Sequence, residues 1–198
     1  MSGTAMVSAI LLAAGESKRM GELKLLLPFG TSTIIEKSID ALLSSRVNEV
    51  IVVTGCKAEE VIKRIAGKPI RIVVNPHYLQ GMSTSITAGL NLIDRKAKAI
   101  MIALADQPVI DSKVIDKLLE QFRRHDKGIA IPVYQGKRGH PVVFSVKYKK
   151  ELLKLEGDVG GKEIIDQHQD DVLEVPVESR GISIDIDNLG DYEQLAQN

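Results

Sequence analysis

The sequence predicts an α/β fold: a single three-layer α/β/α domain over residues 1–198, with a mostly parallel, Rossmann-like sheet and a mixed C-terminal edge. Apolar runs alternate with amphipathic helical stretches for most of the length. Repeated strand–helix–strand order implies parallel strands joined by right-handed crossovers. Several of the runs are apolar at nearly every position, as strands covered on both faces must be. No linker, repeat or low-complexity tract divides the 198 residues, a length that suits one large domain.

Strands are expected at Val7–Leu12, Val50–Val53, Ile70–Val74, Ile100–Leu104 and Ile129–Val133. Helices fall between them, near Ile34–Leu43, Glu59–Ala66, Ser85–Ile93 and Val114–Arg124. The first has a capping box, with Thr33 as N-cap and Glu36 three residues later. The last places Val114, Ile115, Leu118, Leu119 and Phe122 on one side. After Tyr134 the pattern changes. A polar connection at Gly136–His140 leads to a strand at Val142–Ser145, a charged helix near Tyr148–Leu155, a glycine loop, a strand at Val172–Val177 and a short final helix.

With 44% apolar residues there is ample material for a core. Lys plus Arg and Asp plus Glu both number 26, a balance that argues against a general nucleic-acid binder. Cys56 is the single cysteine, which excludes an intramolecular disulfide and a Cys-based zinc site. It reads as a small residue beside a strand end. The Val7–Ala14 run is too short to span a membrane, and no basic region precedes it, so a cytoplasmic protein is expected.

Ligands of open α/β sheets bind outside the carboxyl ends of the strands. The first strand runs into Leu12-Ala13-Ala14-Gly15-Glu16-Ser17-Lys18-Arg19-Met20-Gly21, then Lys24. Small residues let backbone N–H groups approach a phosphate, and Arg19 and Lys24 supply positive charge. The segment is neither a Walker motif nor a dinucleotide fingerprint. Asp106 ends an apolar run and is followed by Pro108, which stops the strand. Asp185 and Asp187 alternate, so in a strand both carboxylates share a face. Magnesium takes one or two carboxylates plus phosphate oxygens and water, which fits Asp106 with one or both of that pair. Read singly, Asp106 would begin a turn and Asp187 would cap the last helix. Together with the phosphate loop, the metal reading is preferred.

Leu12–Pro28 resembles the signature of the molybdenum cofactor cytidylyltransferase family, within the glycosyltransferase-A-like nucleotidyltransferases. Further motifs match in order: Asn75-Pro76, Gln80-Gly81-Met82-Ser83-Thr84-Ser85, Asp106-Gln107-Pro108, Arg138-Gly139-His140-Pro141 and Gly157-Asp158-Val159-Gly160-Gly161-Lys162. The likeness runs from about Ile10 to Tyr192. It departs after Asp185-Ile186-Asp187, where the family's Thr-Pro-Glu-Asp is replaced by Asn188-Leu189-Gly190-Asp191. That puts the loop before the last helix in question.

The resemblance implies transfer of CMP from CTP to a molybdopterin-type cofactor, with Mg²⁺ (or Mn²⁺ in its place) held by Asp106, Asp185 and Asp187. Lys24 would act on the α-phosphate and Arg19 on the leaving pyrophosphate, with no general base for an ionised phosphate nucleophile. Leu12, Ala13, Ala14 and Gly15 with Gly81, Met82, Ser83 and Ser85 are the implied nucleotide contacts, although a Ser or Thr of the second loop also reads as a helix cap. Ala14 favours cytosine, since the guanylyl branch carries Leu-Ala-Gly-Gly there. Gln107, Arg138, His140, Asp158 and Lys162 are implied on the acceptor side, where His140 alone would be a surface turn residue. Product would pass to a molybdenum hydroxylase by transient docking. Two alternatives stay open: nucleotidyl transfer with GTP or to a sugar or polyol phosphate, and a non-catalytic cofactor-binding maturation partner.

Overall fold

The computed structural model describes residues 6–196, the side chain of Arg19 excepted. β1 (Val7–Ala13) lies inside the sheet and is buried along almost its whole length. A hairpin of β2 (Pro28–Phe29) and β3 (Ser32–Thr33) turns the chain into α1 (Ile34–Leu43). Then follow β4 (Glu49–Thr54), α2 (Ala58–Ile65), β5 (Arg71–Val74), α3 (Met82–Leu90), β6 (Ala99–Leu104), α4 (Ser112–Arg124) and β7 (Ile129–Tyr134). The last third adds β8 (Lys137–Arg138), β9 (Val142–Ser145), α5 (Lys149–Leu152), α6 (Lys162–Gln167), β10 (Val172–Pro176) and α7 (Leu189–Ala196).

The main sheet has the order β10-β7-β9-β6-β1-β4-β5, with β8 paired to β7. β1 is parallel to both β4 and β6, in register Ile10↔Ile51 and Ile10↔Ile102. The mixed part lies on the C-terminal side, as the sequence predicts. Its reversed strand β9 is inserted between β6 and β7, antiparallel to both. Alternation along β1 sorts the core into two layers. Val7, Ala9, Leu11 and Ala13 pack with residues of α1, α2 and α4, whereas Ile10 packs with Ile86 and Leu90 of α3 and Ile164 of α6.

Local chemistry explains the boundaries. Thr33 donates from its backbone N–H and its hydroxyl to the Glu36 carboxylate, at 2.9 and 2.7 Å, and α1 spans the predicted residues. Asp111 accepts from the Val114 N–H at 3.0 Å, so α4 starts two residues ahead of Val114. α3 begins at Met82, not at the expected Ser85, because its first N–H groups find partners across the chain. Met82 N–H donates to Asp158 Oδ1 at 3.2 Å and Ser83 N–H to the Gly157 carbonyl at 3.2 Å. The charged helix expected near Tyr148–Leu155 is shorter, a 3₁₀ turn at Val146–Tyr148 and then α5.

Candidate active site

The chain leaves β1 toward β4 and β5 on one side and returns to β6 on the other, so the switch point of the sheet lies between β1 and β6. Residues 14–24 fold over that end. Ser17 takes a left-handed backbone (φ 55°, ψ 35°) and its carbonyl accepts from the Met20 N–H at 2.9 Å. Its hydroxyl accepts from the Lys24 N–H at 3.1 Å, which doubles the loop back.

A cleft of about 400 Å³ opens here, walled by Leu12, Ala13 and residues 15–18, with Lys24, Asp106, Asp158 and Asp187 also lining it. The Lys24 ammonium donates to Asp106 Oδ2 at 2.6 Å and to the Ile186 carbonyl at 2.7 Å, and stands 3.5 Å from Asp187 Oδ1. Backbone bonds fix this meeting of distant segments. Ala105 N–H donates to the Leu12 carbonyl at 3.1 Å, and Ile186 N–H donates to the Asp106 carbonyl at 3.0 Å. Asp185 and Asp187 are not in a strand; they flank Ile186, which is buried in the core.

Desolvation raises the Asp185 carboxyl above its ordinary range, with the neighbouring carboxylates of Asp106 and Asp187 adding to the effect. Gln107 Nε2 opposes it by donating to Asp185 Oδ1 at 2.7 Å. Gln107 is only 2% exposed, and its Oε1 has no partner among the described residues. Desolvation also holds His140 below its usual range, against the pull of Asp185 and Asp106. Among the described residues, no group of three His, Cys, Asp or Glu side chains is placed to hold a metal ion unaided.

Another pocket, of about 390 Å³, has Ile102, Val142 and Phe144 in its wall and Arg138, His140 and Lys162 lining it too. The five residues implied on the acceptor side therefore separate. Asp158 belongs to the first cleft, and Gln107 is tied to the carboxylates. Arg138 is engaged by Glu174 at 2.7 Å and Gln169 at 2.8 Å.

The implied nucleotide contacts separate as well. Leu12, Ala13 and Gly15 line the cleft, and Ala14 is buried. Met82 faces the second pocket. Ser83 donates its hydroxyl to the Gly157 carbonyl at 2.7 Å, and the buried Ser85 hydroxyl accepts from Asn75 Nδ2 at 3.0 Å. Neither Ser nor Thr caps α3. Gly81 stands at its N-cap with φ 111°, where a Cβ would lie 2.3 Å from the Gly157 backbone. Arg19 is in the 3₁₀ turn Lys18–Met20, and its side chain lies outside the described residues.

Sequence reasoning passed over the function of Asn75. Its side chain pins Thr84 at 2.8 Å and Ser85 at 3.0 Å and accepts from the His77 N–H. Glu16, Ser17, Lys18 and Leu25 line the cleft as well, the first three within the loop that the sequence marks for phosphate. The departure at residues 188–191 proves to be a reciprocal cap. Asn188 Oδ1 accepts from the Asp191 N–H at 3.0 Å, and Asp191 Oδ2 accepts from the N–H groups of Asn188 and Asp187 at 3.1 and 3.0 Å. Asn188, not Asp187, is the cap. Cys56 is half-buried just past β4, as expected, and its N–H donates to the Ala14 carbonyl at 3.2 Å.

A mostly parallel sheet with a cation-bearing loop at its switch point and carboxylates just past the neighbouring strand end is the arrangement of a nucleotide-handling α/β protein. Residues 9–172 match the MobA-like NTP transferase domain, and the chain belongs to that nucleotidyltransferase family. It is 32% identical over 190 residues to nicotine blue oxidoreductase of Paenarthrobacter nicotinovorans, covering 90% of this chain and 92% of that protein. It is 27% identical over 187 residues to the molybdenum cofactor cytidylyltransferase of Escherichia coli K12, covering 94% and 93%. The crystal structure of an Rv0371c homologue from Mycobacterium sp. strain JC1 superposes with a TM-score of 0.87 at 30% identity, covering 96% of this chain and 95% of that one.

Proposed function

We propose that the whole chain is one nucleotidyltransferase domain that transfers CMP from CTP to a molybdopterin-type cofactor. The reading rests on one observation above all: the Lys24 ammonium lies between Asp106 and Asp187 at the switch-point end of β1. An oxygen of the acceptor's phosphate bonds to the α-phosphorus. The bond from that phosphorus to the β-phosphate bridging oxygen breaks, and pyrophosphate leaves with the electron pair. No proton needs removal from an ionised phosphate, so no side chain, His140 included, is required as base. The chain's own contribution is positioning and charge. Lys24 would act on the α-phosphate and Arg19, as the family resemblance implies, on the leaving pyrophosphate, while Ala13 and Gly15 offer backbone close to the nucleotide.

The donor set suits a hard divalent ion, because Asp106 and Asp187 already share one cation and Asp185 stands at their edge. Asp106, Asp185 and Asp187 would hold Mg²⁺, or Mn²⁺ in its place, with phosphate oxygens and water as the other ligands. The ion would supply neutralisation of phosphate charge. Arg138, His140 and Lys162 around the second pocket support an anionic, partly apolar acceptor. The E. coli relative's name supports the choice of cytidylyl transfer and molybdenum cofactor. Transient docking on a molybdenum hydroxylase would deliver the product.

A redox reading has one observation in its favour, the name of the Paenarthrobacter relative. The deciding experiment incubates the protein with Mg²⁺, molybdopterin and CTP, GTP or no nucleotide, and measures pyrophosphate and the nucleotide product. Parallel tubes with reduced nicotinamide and nicotine blue follow loss of the dye. Pyrophosphate with a cytidine dinucleotide supports the proposal; dye reduction without pyrophosphate release overturns it. Pyrophosphate only with GTP, or only with a sugar or polyol phosphate, moves the substrate and keeps the reaction.

A further inference from the structure

The loop between α5 and α6 is built against the start of α3, and it brings one carboxylate into the first cleft. A Cβ placed on Gly81 would stand 2.3 Å from the Gly157 carbonyl and 2.5 Å from the Asp158 nitrogen, so the peptide between those two residues lies directly on the bare Gly81 backbone. The N–H and the hydroxyl of Ser83 both donate to the Gly157 carbonyl, at 3.2 and 2.7 Å. Beside them the Met82 N–H donates to Asp158 Oδ1 at 3.2 Å. Asp158 is thus held in place, and it lines the cleft together with Lys24, Asp106 and Asp187. The Lys24 ammonium pairs with the last two and leaves Asp158 out. Among the described residues, Asp158 has no cation within ion-pair distance and belongs to no three-residue cluster placed to hold a metal.

A fixed carboxylate without a counter-ion repels phosphate. Asp158 also lies on the N-terminus of α3, where its charge cancels the partial positive charge that would otherwise compete with Lys24 for an anion. Both effects send the phosphates of a nucleoside triphosphate to the Lys24 end and leave Asp158 to a part of the molecule that donates hydrogen bonds. A carboxylate only accepts. Two neighbouring sugar hydroxyls can both donate to it, whereas a cytosine edge sets ring and carbonyl acceptors beside its one amine. We propose that Asp158 accepts from the ribose hydroxyls of the bound nucleotide, which fixes the nucleotide's direction in the cleft and selects ribonucleotides. The inference rests on the nucleotide reading of the cleft. Acidic side chains meet ribose hydroxyls in dinucleotide-binding sheets for the same chemical reason.

Calorimetric binding tests this without turnover, using CTP and GTP, each beside its 2′,3′-dideoxy form, and inorganic tripolyphosphate. Wild type is expected to hold the ribonucleotide that binds about tenfold or more tighter than its dideoxy form. Asp158→Ala should remove that difference by weakening the ribonucleotide alone, and tripolyphosphate should bind the variant at least as tightly as wild type. Asp158→Asn, which keeps an acceptor for the Met82 N–H, should lose less. Ribonucleotide affinity unaltered by Asp158→Ala would overturn the sugar contact and leave the nucleotide reading standing. Equal losses for the ribonucleotide and its dideoxy form, with a lowered melting temperature, would also overturn it and make Asp158 a cap of α3 only. Wild-type protein that binds no nucleoside triphosphate would overturn both.

Discussion

Two lysine–carboxylate pairs sit at different places on the same sheet, and they differ in what surrounds them. Beside β1 and β6, Lys24 meets Asp106 at 2.6 Å within a group of three carboxylates. At the start of β10, Lys147 meets Asp171 at 2.8 Å. Tyr148 also donates to Asp171 Oδ2 at 2.5 Å, and the Gly128 N–H adds a further bond. Burial pushes Asp171 upward, yet Lys147, Tyr148 and Gly128 outweigh it and hold the carboxyl down to about 2. Burial, then Asp171, raises the Tyr148 phenol far above its ordinary value. One carboxylate there has enough donors. Beside Asp106 and Asp187, Asp185 is raised instead of lowered. A satisfied ion pair holds strands together, whereas carboxylates that raise one another are the arrangement expected where a ligand is bound.

The sharpest way to break this contrast is to delete a carboxylate from each cluster. Asp106→Ala is expected to reduce kcat by about 10³ or more while changing the melting temperature little, because Lys24 keeps the Ile186 carbonyl and Asp187. Pyrophosphate release and thermal melts measure the two effects. Wild-type turnover would remove Asp106 from the reaction. Lys24→Ala should follow, with kcat lower by roughly 10²–10³. A variant changed only in KM would make Lys24 a ground-state contact.

The sequence made the first cluster legible and the second invisible, for physical reasons. Asp106 follows the apolar strand β6 at its carboxyl end, where ligands of such sheets bind. Asp171 sits in a run of polar residues and gains its meaning only from Gly128, Lys147 and Tyr148, which are distant in sequence. The buried strands were legible for the same reason as Asp106: a run covered on both faces excludes polar residues. The start of α3 was not, because its first N–H groups are satisfied by Gly157 and Asp158 from the far end of the chain. Local capping rules see only local partners. Likewise the alternation of Asp185 and Asp187 was visible, but the segment is stitched to Asp106 by a backbone bond outside any strand. α6 lay hidden behind the glycines at 160 and 161, where a Cβ on Gly161 would meet Phe144 at 2.5 Å.

A smaller effect is expected at Ala14, whose methyl is buried and packed over Gly55 toward Tyr78. It does not face the cleft directly, so Ala14→Gly should act through its neighbours Ala13 and Gly15, which do. The ratio of kcat/KM for CTP over GTP should fall by about tenfold at most, since one methyl discriminates only modestly. Competition with equal CTP and GTP reads the ratio. An unchanged ratio would take Ala14 out of base choice while leaving the roles of Lys24 and Asp106 untouched.

The smallest effect comes from Asp171→Asn, and it tests the other side of the comparison. The Asp171 pKa is depressed from 3.8 to about 2 in the folded chain. A depressed carboxyl stabilises the fold above its unfolded pKa, and that stabilisation is lost as pH falls from about 4 through about 2. Asp171 is about one quarter exposed, so the shift is discounted for solvent screening to roughly 1–2 kcal/mol near neutral pH. For a chain of this length that lowers the melting temperature of Asp171→Asn by about 2–8 °C, with kcat unchanged. The gap to wild type should narrow as the pH is brought below about 4, because the unfolded chain then takes up a proton that folded Asp171 accepts only near pH 2. A gap that stays constant down to low pH would mean that shape, not charge, holds this corner. A fall in kcat matching that of Asp106→Ala would erase the distinction between the two clusters.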